Sequence, residues 1–229
     1  YFKTENDFYF ASDIRALRKS ISTSINKDKF ISYLTLGYVE SEFTMWNGVK
    51  KLPPANYIEI INNSFKIYNY WKISKSDSLD IEFSTAKSKL EELLYDSVRL
   101  RLRSDVPFGA FLSGGLDSSA LVALASKQLD SPLNTYTVNF EGKSGKDNYY
   151  ANMVHKLYST NHKELILSHE EFVKSSDELL QIIDEPIADS AIVPAYWLSK
   201  MAKNDGIKVL LNGAGGDEMF GGYPWRYYR

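Results

Sequence analysis

Apolar and polar positions alternate with two different rhythms along this chain. Over the first seventy or so residues the apolar runs are short. Phe8-Tyr9-Phe10 suggests a strand, Asp13 a cap for a helix over Ile14 to Lys19, and Asp28 a cap for another over Lys29 to Leu36. Tyr57 to Ile61, the turn Asn62-Asn63-Ser64, and Phe65 to Tyr68 predict a β-hairpin, with Pro53-Pro54 punctuating its approach. Polar Ser74-Lys75-Ser76-Asp77-Ser78 then breaks the pattern and suggests a linker. Beyond it Leu90, Leu93, Leu94, Val98 and Leu102 share one face of a helix over about 85–103. From Val106 short apolar runs alternate with helical periodicity. Strands are expected over Phe108 to Leu112, Thr135 to Phe140, Glu164 to Leu167 and Lys208 to Leu211. Helices are expected over Ser118 to Lys127, Tyr149 to Tyr158, Glu170 to Ile183 and Ala191 to Ala202. That alternation predicts right-handed βαβ units: an α/β fold with a doubly wound parallel sheet.

Composition narrows the classes. The 229 residues are 44% hydrophobic and 24% charged, an ordinary globular balance. A formal net charge of −2 without a basic block argues against nucleic acid or an anionic membrane as partner. Cysteine is absent, which removes disulfides, thiolate metal sites and a cysteine nucleophile from these residues and suits a reducing cytoplasm, the expected compartment. No apolar run is long enough to span a bilayer. The chain opens on Tyr1-Phe2-Lys3 and stops at Trp225 to Arg229, abrupt ends that read as part of something longer.

The chemistry concentrates in two glycine-rich turns. Ser113-Gly114-Gly115-Leu116-Asp117-Ser118-Ser119 sits between a strand and a helix, where an open parallel sheet holds its ligand. Two glycines let backbone N–H groups approach an anion, and serines at the helix start add donors. Asp117 would repel a phosphate unless it held Mg²⁺, which prefers oxygen ligands. The loop lacks the lysine of a Walker A motif and the spacing of a dinucleotide fingerprint. Asn212 to Gly216 follows another strand and should lie at the same sheet edge, with Gly213 close to the ligand and Asp217 near the same crevice. Asp117 and Asp217 could then share Mg²⁺ and clamp a leaving pyrophosphate.

Plainer readings cover other features. Arg99, Arg101 and Arg103 suit the negative end of their helix, and the tyrosines and phenylalanines suit packing. His155, His162 and His169, seven apart, suggest no shared face and hence no metal site. Glu141 to Asn148 reads as a polar loop.

Ser113 to Ser119 resembles the pyrophosphate loop of the N-type ATP pyrophosphatases. Val106 to Leu112, Asp184-Glu185-Pro186-Ile187-Ala188-Asp189-Ser190 and Leu211 to Tyr223 resemble the asparagine synthetase branch (glutamine-hydrolysing). Phe10 to Leu17, Lys51 to Pro54 and Tyr70-Trp71 resemble the end of that family's class II glutaminase domain. The resemblance implies residues 1–72 as the C-terminal part of an α+β N-terminal-nucleophile glutaminase domain, and 73–229 as a synthetase domain incomplete at its C-terminus. It implies ATP and Mg²⁺, a carboxylate acceptor activated as its adenylate, ammonia from glutamine, and a homodimer as a conceivable assembly. Leu112 and Val138 match positions whose backbone meets adenine. Ser113, Gly114, Gly115, Leu116, Asp117, Ser118, Ser119 and Gly213 match the ATP and pyrophosphate site. Asp117 and Asp217 match metal and catalytic positions.

Three positions depart from the family. Ala214 stands where asparagine-forming members carry a glutamate thought to assist ammonia, Asn212 where they carry serine, and Asn148 where an acidic residue is usual. Alanine cannot act as a base, so the acceptor is either aspartate, served by another group, or another carboxylate such as a sugar acid or peptide. A sulfur-inserting tRNA-modifying pyrophosphatase is a second reading, opposed by the lack of cysteine and of a basic surface. A nucleotide-binding homologue without catalysis is a third.

Overall fold

The structure is a computed structural model that describes residues 1–62, 64–73, 79–142 and 146–223. The expected linker Ser74 to Ser78 and the terminal Trp225 to Arg229 lie outside the described residues. Two units divide the chain: Tyr1–Leu79 with Glu178–Ser190, and Asp80–Asp177 with Ala191 onward.

In the first unit β1 (Phe2–Lys3) pairs antiparallel with β2 (Phe8–Tyr9). Helix α1 (Ile14–Arg18) starts where Asp13 accepts the Arg15 backbone N–H at 2.8 Å, as expected. Helix α2 (Lys27–Leu36) corrects the sequence reading. Its cap is Asn26, whose Oδ1 accepts from Lys29 N–H at 3.2 Å. Asn and Asp cap about equally well, so the helix starts at the earlier residue and Asp28 sits in the first turn, where its charge suits the positive helix end. Strands β3 (Asn56–Ile61) and β4 (Ser64–Asn69) form the expected hairpin. Elsewhere in the unit Ile14, Leu17 and Val49 form a buried core, with Phe2, Tyr9, Ile21 and Trp46 packed around them. A later stretch of chain joins this unit. Met45 N–H donates to Glu185 Oε1 at 2.5 Å, Lys51 Nζ to Glu185 Oε2 at 3.2 Å, and Ala188 N–H to the Gly37 carbonyl at 3.1 Å.

The second unit runs α3 (Phe83–Arg101), β5 (Phe108–Phe111), α4 (Leu116–Ser126), β6 (Asn134–Phe140), α5 (Lys146–Tyr158) and β7 (Asn161–Leu167). It continues with α6 (His169–Ile182), whose end lies with the first unit, then α7 (Ile192–Asn204), β8 (Val209–Leu211) and α8 (Gly216–Phe220). The four strands are parallel in the order β7-β6-β5-β8. The chain winds from β5 outward to β7, then returns to place β8 on the other side of β5. Helices cover both faces. Val98 of α3, Val122 and Ala125 of α4 and Ala151 of α5 pack with Ala110 and Leu112. Ala202 of α7 packs with Tyr136 and Ile207 on the opposite face. Neighbouring Leu210 and Leu211 of β8 serve different clusters, as successive strand side chains must.

Two further expectations are adjusted. On α3, Val98 is buried and Leu102 packs on the core, but Leu93 is 68% exposed. The polar stretch before Tyr149 is helical from Lys146, so α5 begins earlier than expected; residues 143–145 lie outside the described ones. Arg101 Nη1 donates to the Ser97 carbonyl at 3.0 Å, the helix-end role foreseen for it. Among the described residues no helix is long and apolar enough to cross a membrane.

Candidate functional site

Because β5 and β8 are adjacent and parallel, the turns after them open at the same carboxyl edge of the sheet. The two helices that follow, α4 and α8, start there. This is the point where the winding reverses, the place at which an open α/β sheet receives a ligand. A cleft of about 850 Å³ lies there within the second unit.

The first turn leaves β5 at Leu112, which is fully buried. Leu112 N–H donates to the Tyr136 carbonyl at 2.9 Å, and the Thr137 hydroxyl donates to the Leu112 carbonyl. Gly114 then turns with φ +83°, a left-handed conformation that glycine adopts without a side-chain clash. Ser113 N–H reaches Ser118 Oγ at 3.2 Å, the two hydroxyls are 2.9 Å apart, and Gly115 N–H donates to Ser113 Oγ at 3.2 Å. Ser118 Oγ donates to the Gly115 carbonyl at 3.2 Å. Leu112, Ser113, Gly115, Leu116, Asp117 and Ser118 line the cleft. Ser119 serves the helix ladder, its N–H donating to the Gly115 carbonyl at 3.1 Å, and Gly114 and Ser119 stand outside the lining. The N–H groups at the start of α4 supply the positive end of a helix dipole.

The second turn comes into direct contact with the first. A Cβ on Gly216 would fall 2.3 Å from both Cγ and Oδ2 of Asp117, so a larger residue there would have to displace the Asp117 carboxylate. Asp217 is placed in a similar way. A Cβ on Gly222 would lie 1.7 Å from Asp217 Oδ1, and Gly222 N–H donates to the Asp217 carbonyl at 2.9 Å. Both aspartates are half-buried and line the cleft. Asn212 Oδ1 accepts Ala214 N–H at 3.0 Å, shaping the turn. Glu218 Oε2 accepts Gly215 N–H at 3.0 Å, the helix-start role foreseen for it. Ala214 is exposed on the cleft wall.

Asp117 and Asp217 offer carboxylate oxygens at the cleft, the ligand type that magnesium prefers. Among the described residues no group of three or more His, Asp or Glu gathers around one point. A cation here would take Asp117 and Asp217 and complete its shell with phosphate oxygens and water, the usual habit of Mg²⁺.

Opposite the loops Val138, Asn139 and Phe140 form the wall at the end of β6, with Asn148 of α5. Ala191, Pro194, Ala195 and Leu198, at and after the start of α7, close another side. Sequence reasoning singled out Val138 and passed over Thr137. A hydroxyl hidden in an apolar strand gives no sign of its backbone partner until the neighbouring strand is known.

Two other clusters are structural. Tyr136 donates to Asp205 Oδ2 at 3.0 Å, and Lys163 Nζ to Asp205 Oδ1 at 2.5 Å. Burial, then the Asp205 contact, pushes the Tyr136 phenol up to about 12, so it stays a hydrogen-bond donor. His155 and His162 correct the expectation of no shared face. Their rings stack with centroids 4.9 Å apart, because the short link between α5 and β7 folds one residue back over the other. Thr160 and Thr135 bracket them, with His162 Nδ1 3.0 Å from Thr135 Oγ1.

The sheet and its two converging turns define an α/β fold with a doubly wound parallel sheet. Residues 89–229 match the profile of the asparagine synthase family, residues 1–71 match a glutamine amidotransferase domain, and the chain belongs to the asparagine synthase family. It is 36% identical to a protein of Methanocaldococcus jannaschii provisionally named asparagine synthetase (glutamine-hydrolyzing) 2, over 97% of this chain and 44% of that protein. It is 31% identical to asparagine synthetase (glutamine-hydrolyzing) 1 of Bacillus subtilis, over 97% of this chain and 35% of that one. The chain thus spans less than half the length of these relatives.

Proposed function

We propose that the second unit binds ATP and activates a carboxylate as its acyl-adenylate, within a protein that makes an amide with ammonia from glutamine. The observation that carries this is the Asp117 carboxylate seated against Gly216. It joins a phosphate-type loop and a second glycine-rich turn at one cleft. Residues 1–72 would belong to the glutaminase part and 73–229 to the synthetase part.

In this reading the triphosphate lies over Ser113 to Ser119 and Gly213, where backbone N–H groups and the start of α4 offset its charge. Adenine lies toward Leu112 and Val138. A carboxylate oxygen attacks the α-phosphorus, the bond to the β-phosphate bridging oxygen breaks, and pyrophosphate leaves. Ammonia then attacks the acyl carbon, AMP departs with the C–O electron pair, and the nitrogen sheds a proton. Asp117 and Asp217 would hold magnesium, which supplies charge neutralisation on the polyphosphate. The test is exchange of labelled pyrophosphate into ATP by the full-length protein in the presence of its acceptor. Absence of exchange with every carboxylate offered would favour a nucleotide-binding homologue without catalysis.

The acceptor proposed first is aspartate, giving asparagine. Ala214 supports a second reading, because no side-chain base stands there and the cleft is open at that point. A larger sugar acid or peptide would use that space. Assaying asparagine formation from aspartate, ATP and ammonia separates the two. If aspartate is the acceptor and merely lacks a base, Ala214→Glu raises the rate, since general-base help is worth on the order of 10²–10⁴-fold. If the acceptor is larger, Ala214→Glu blocks it.

A further inference from the structure

The glycine-rich loop is fastened at both ends by the hydroxyls of Thr137 and Ser118, two residues that also line the cleft. At its entry the Thr137 side chain, 3% exposed, reaches across from β6 and donates to the Leu112 carbonyl. At its exit Ser118, 7% exposed, closes a ring. One proton arrangement satisfies every member of that ring. Ser118 O–H donates to the Gly115 carbonyl, Ser113 O–H and Ser113 N–H donate to Ser118 Oγ, and Gly115 N–H donates to Ser113 Oγ. In this arrangement both hydroxyl protons are taken up inside the ring, Ser113 on its exposed side and Ser118 on its buried side.

We propose that Thr137 and Ser118 are positioning residues that hold the loop Leu112 to Leu116 in its ligand-ready shape before ligand arrives. The inference rests on the nucleotide reading above and adds a residue, Thr137, with no place in it so far. It also reassigns Ser118 from phosphate donor to latch. A glycine-rich loop has unusually many conformations to lose on ordering. Fixing the entry carbonyl and the exit turn in the free protein removes part of that loss from the binding step. The latch therefore acts on affinity and leaves the bound state, once formed, nearly unchanged.

The experiment uses the full-length protein with Thr137→Val, Thr137→Ser and Ser118→Ala. Two measurements are made: the KM for ATP in pyrophosphate exchange, and amide hydrogen exchange across residues 112–119. Thr137→Val should raise the KM on the order of tenfold, as loss of one buried hydrogen bond allows, while the rate at saturating ATP holds, and Ser118→Ala should raise the KM as well. Thr137→Ser keeps the hydroxyl and should stay close to the parent. The Ser113 and Gly115 amides, which donate into the ring, should exchange faster in Ser118→Ala. An unchanged KM with unchanged amide exchange overturns the proposal. So does a fall in the saturated rate at parental KM, which would make the hydroxyls part of the chemistry. If the parent binds no ATP, the functional reading fails and the latch is judged on amide exchange alone: faster exchange upholds it and unchanged exchange overturns it.

Discussion

Gly216→Ala separates the fit of the two loops from the stability of the fold. The φ of Gly216 lies outside the left-handed region, so alanine can take its backbone conformation. At the first position of α8 alanine is also the better helix former, by up to about 1 kcal/mol. The added methyl would nevertheless stand 2.3 Å from the Asp117 carboxylate carbon, where ordinary contact begins at 3.4 Å. The shortfall is about 1 Å, and the carboxylate, being the end of a side chain, is what yields. Helix preference and local overpacking of about 1–3 kcal/mol then partly offset each other, and the change in stability is small. Activity is another matter. A misplacement of about 1 Å at a catalytic group costs on the order of 10²-fold, or about 2.7 kcal/mol of transition-state stabilisation. The assay is kcat/KM for ATP in pyrophosphate exchange by the full-length protein, with a thermal melt on the same samples. A variant that melts near the parent and exchanges at the parental rate would refute the role given to the Asp117–Gly216 contact.

Three other outcomes are expected. Asp117→Ala should abolish ATP-dependent exchange while leaving the melt within a few degrees, and parental exchange would dismiss the aspartate from the site. Glu185→Ala should destabilise the first unit by about 1–3 kcal/mol in denaturant titration, because Met45 N–H and the Lys51 ammonium lose their acceptor; an unchanged midpoint would contradict this. Burial, then His155, lowers the His162 pKa, so the unfolded chain binds more protons at mildly acid pH. That contribution is complete above the unfolded value near 6.5 and is lost as pH falls from there toward the folded one. Thermal midpoints measured against pH should show the decline in the parent and a smaller one in His162→Leu, and equal slopes would exclude the stacked pair as its source.

Much of this protein follows from local chemistry that one sequence carries. The alternation of short apolar runs with helical periodicity specified a parallel α/β sheet, because strand and helix periods differ and each must bury one side. Ser113 to Ser119 was legible as a tight turn from a strand into a helix, because glycines free the backbone there and serines suit a helix start. Gly213, Gly216 and Asp217 were legible as a second turn at the same edge. What tertiary structure decided is everything that depends on a distant partner. Whether Asp28 or Asn26 caps α2 rests on a choice between near-equal caps. Stacking of His155 on His162 depends on how α5 returns into β7, which residue spacing does not reveal. Glu185 reads as part of a synthetase motif, yet its carboxylate is held by Met45 and Lys51 of the first unit. Thr137 looked like one more β-branched strand residue until β5 lay beside β6 and put the Leu112 carbonyl within its reach. Hydrogen bonds between strands are set by register, and register is a property of the assembled sheet.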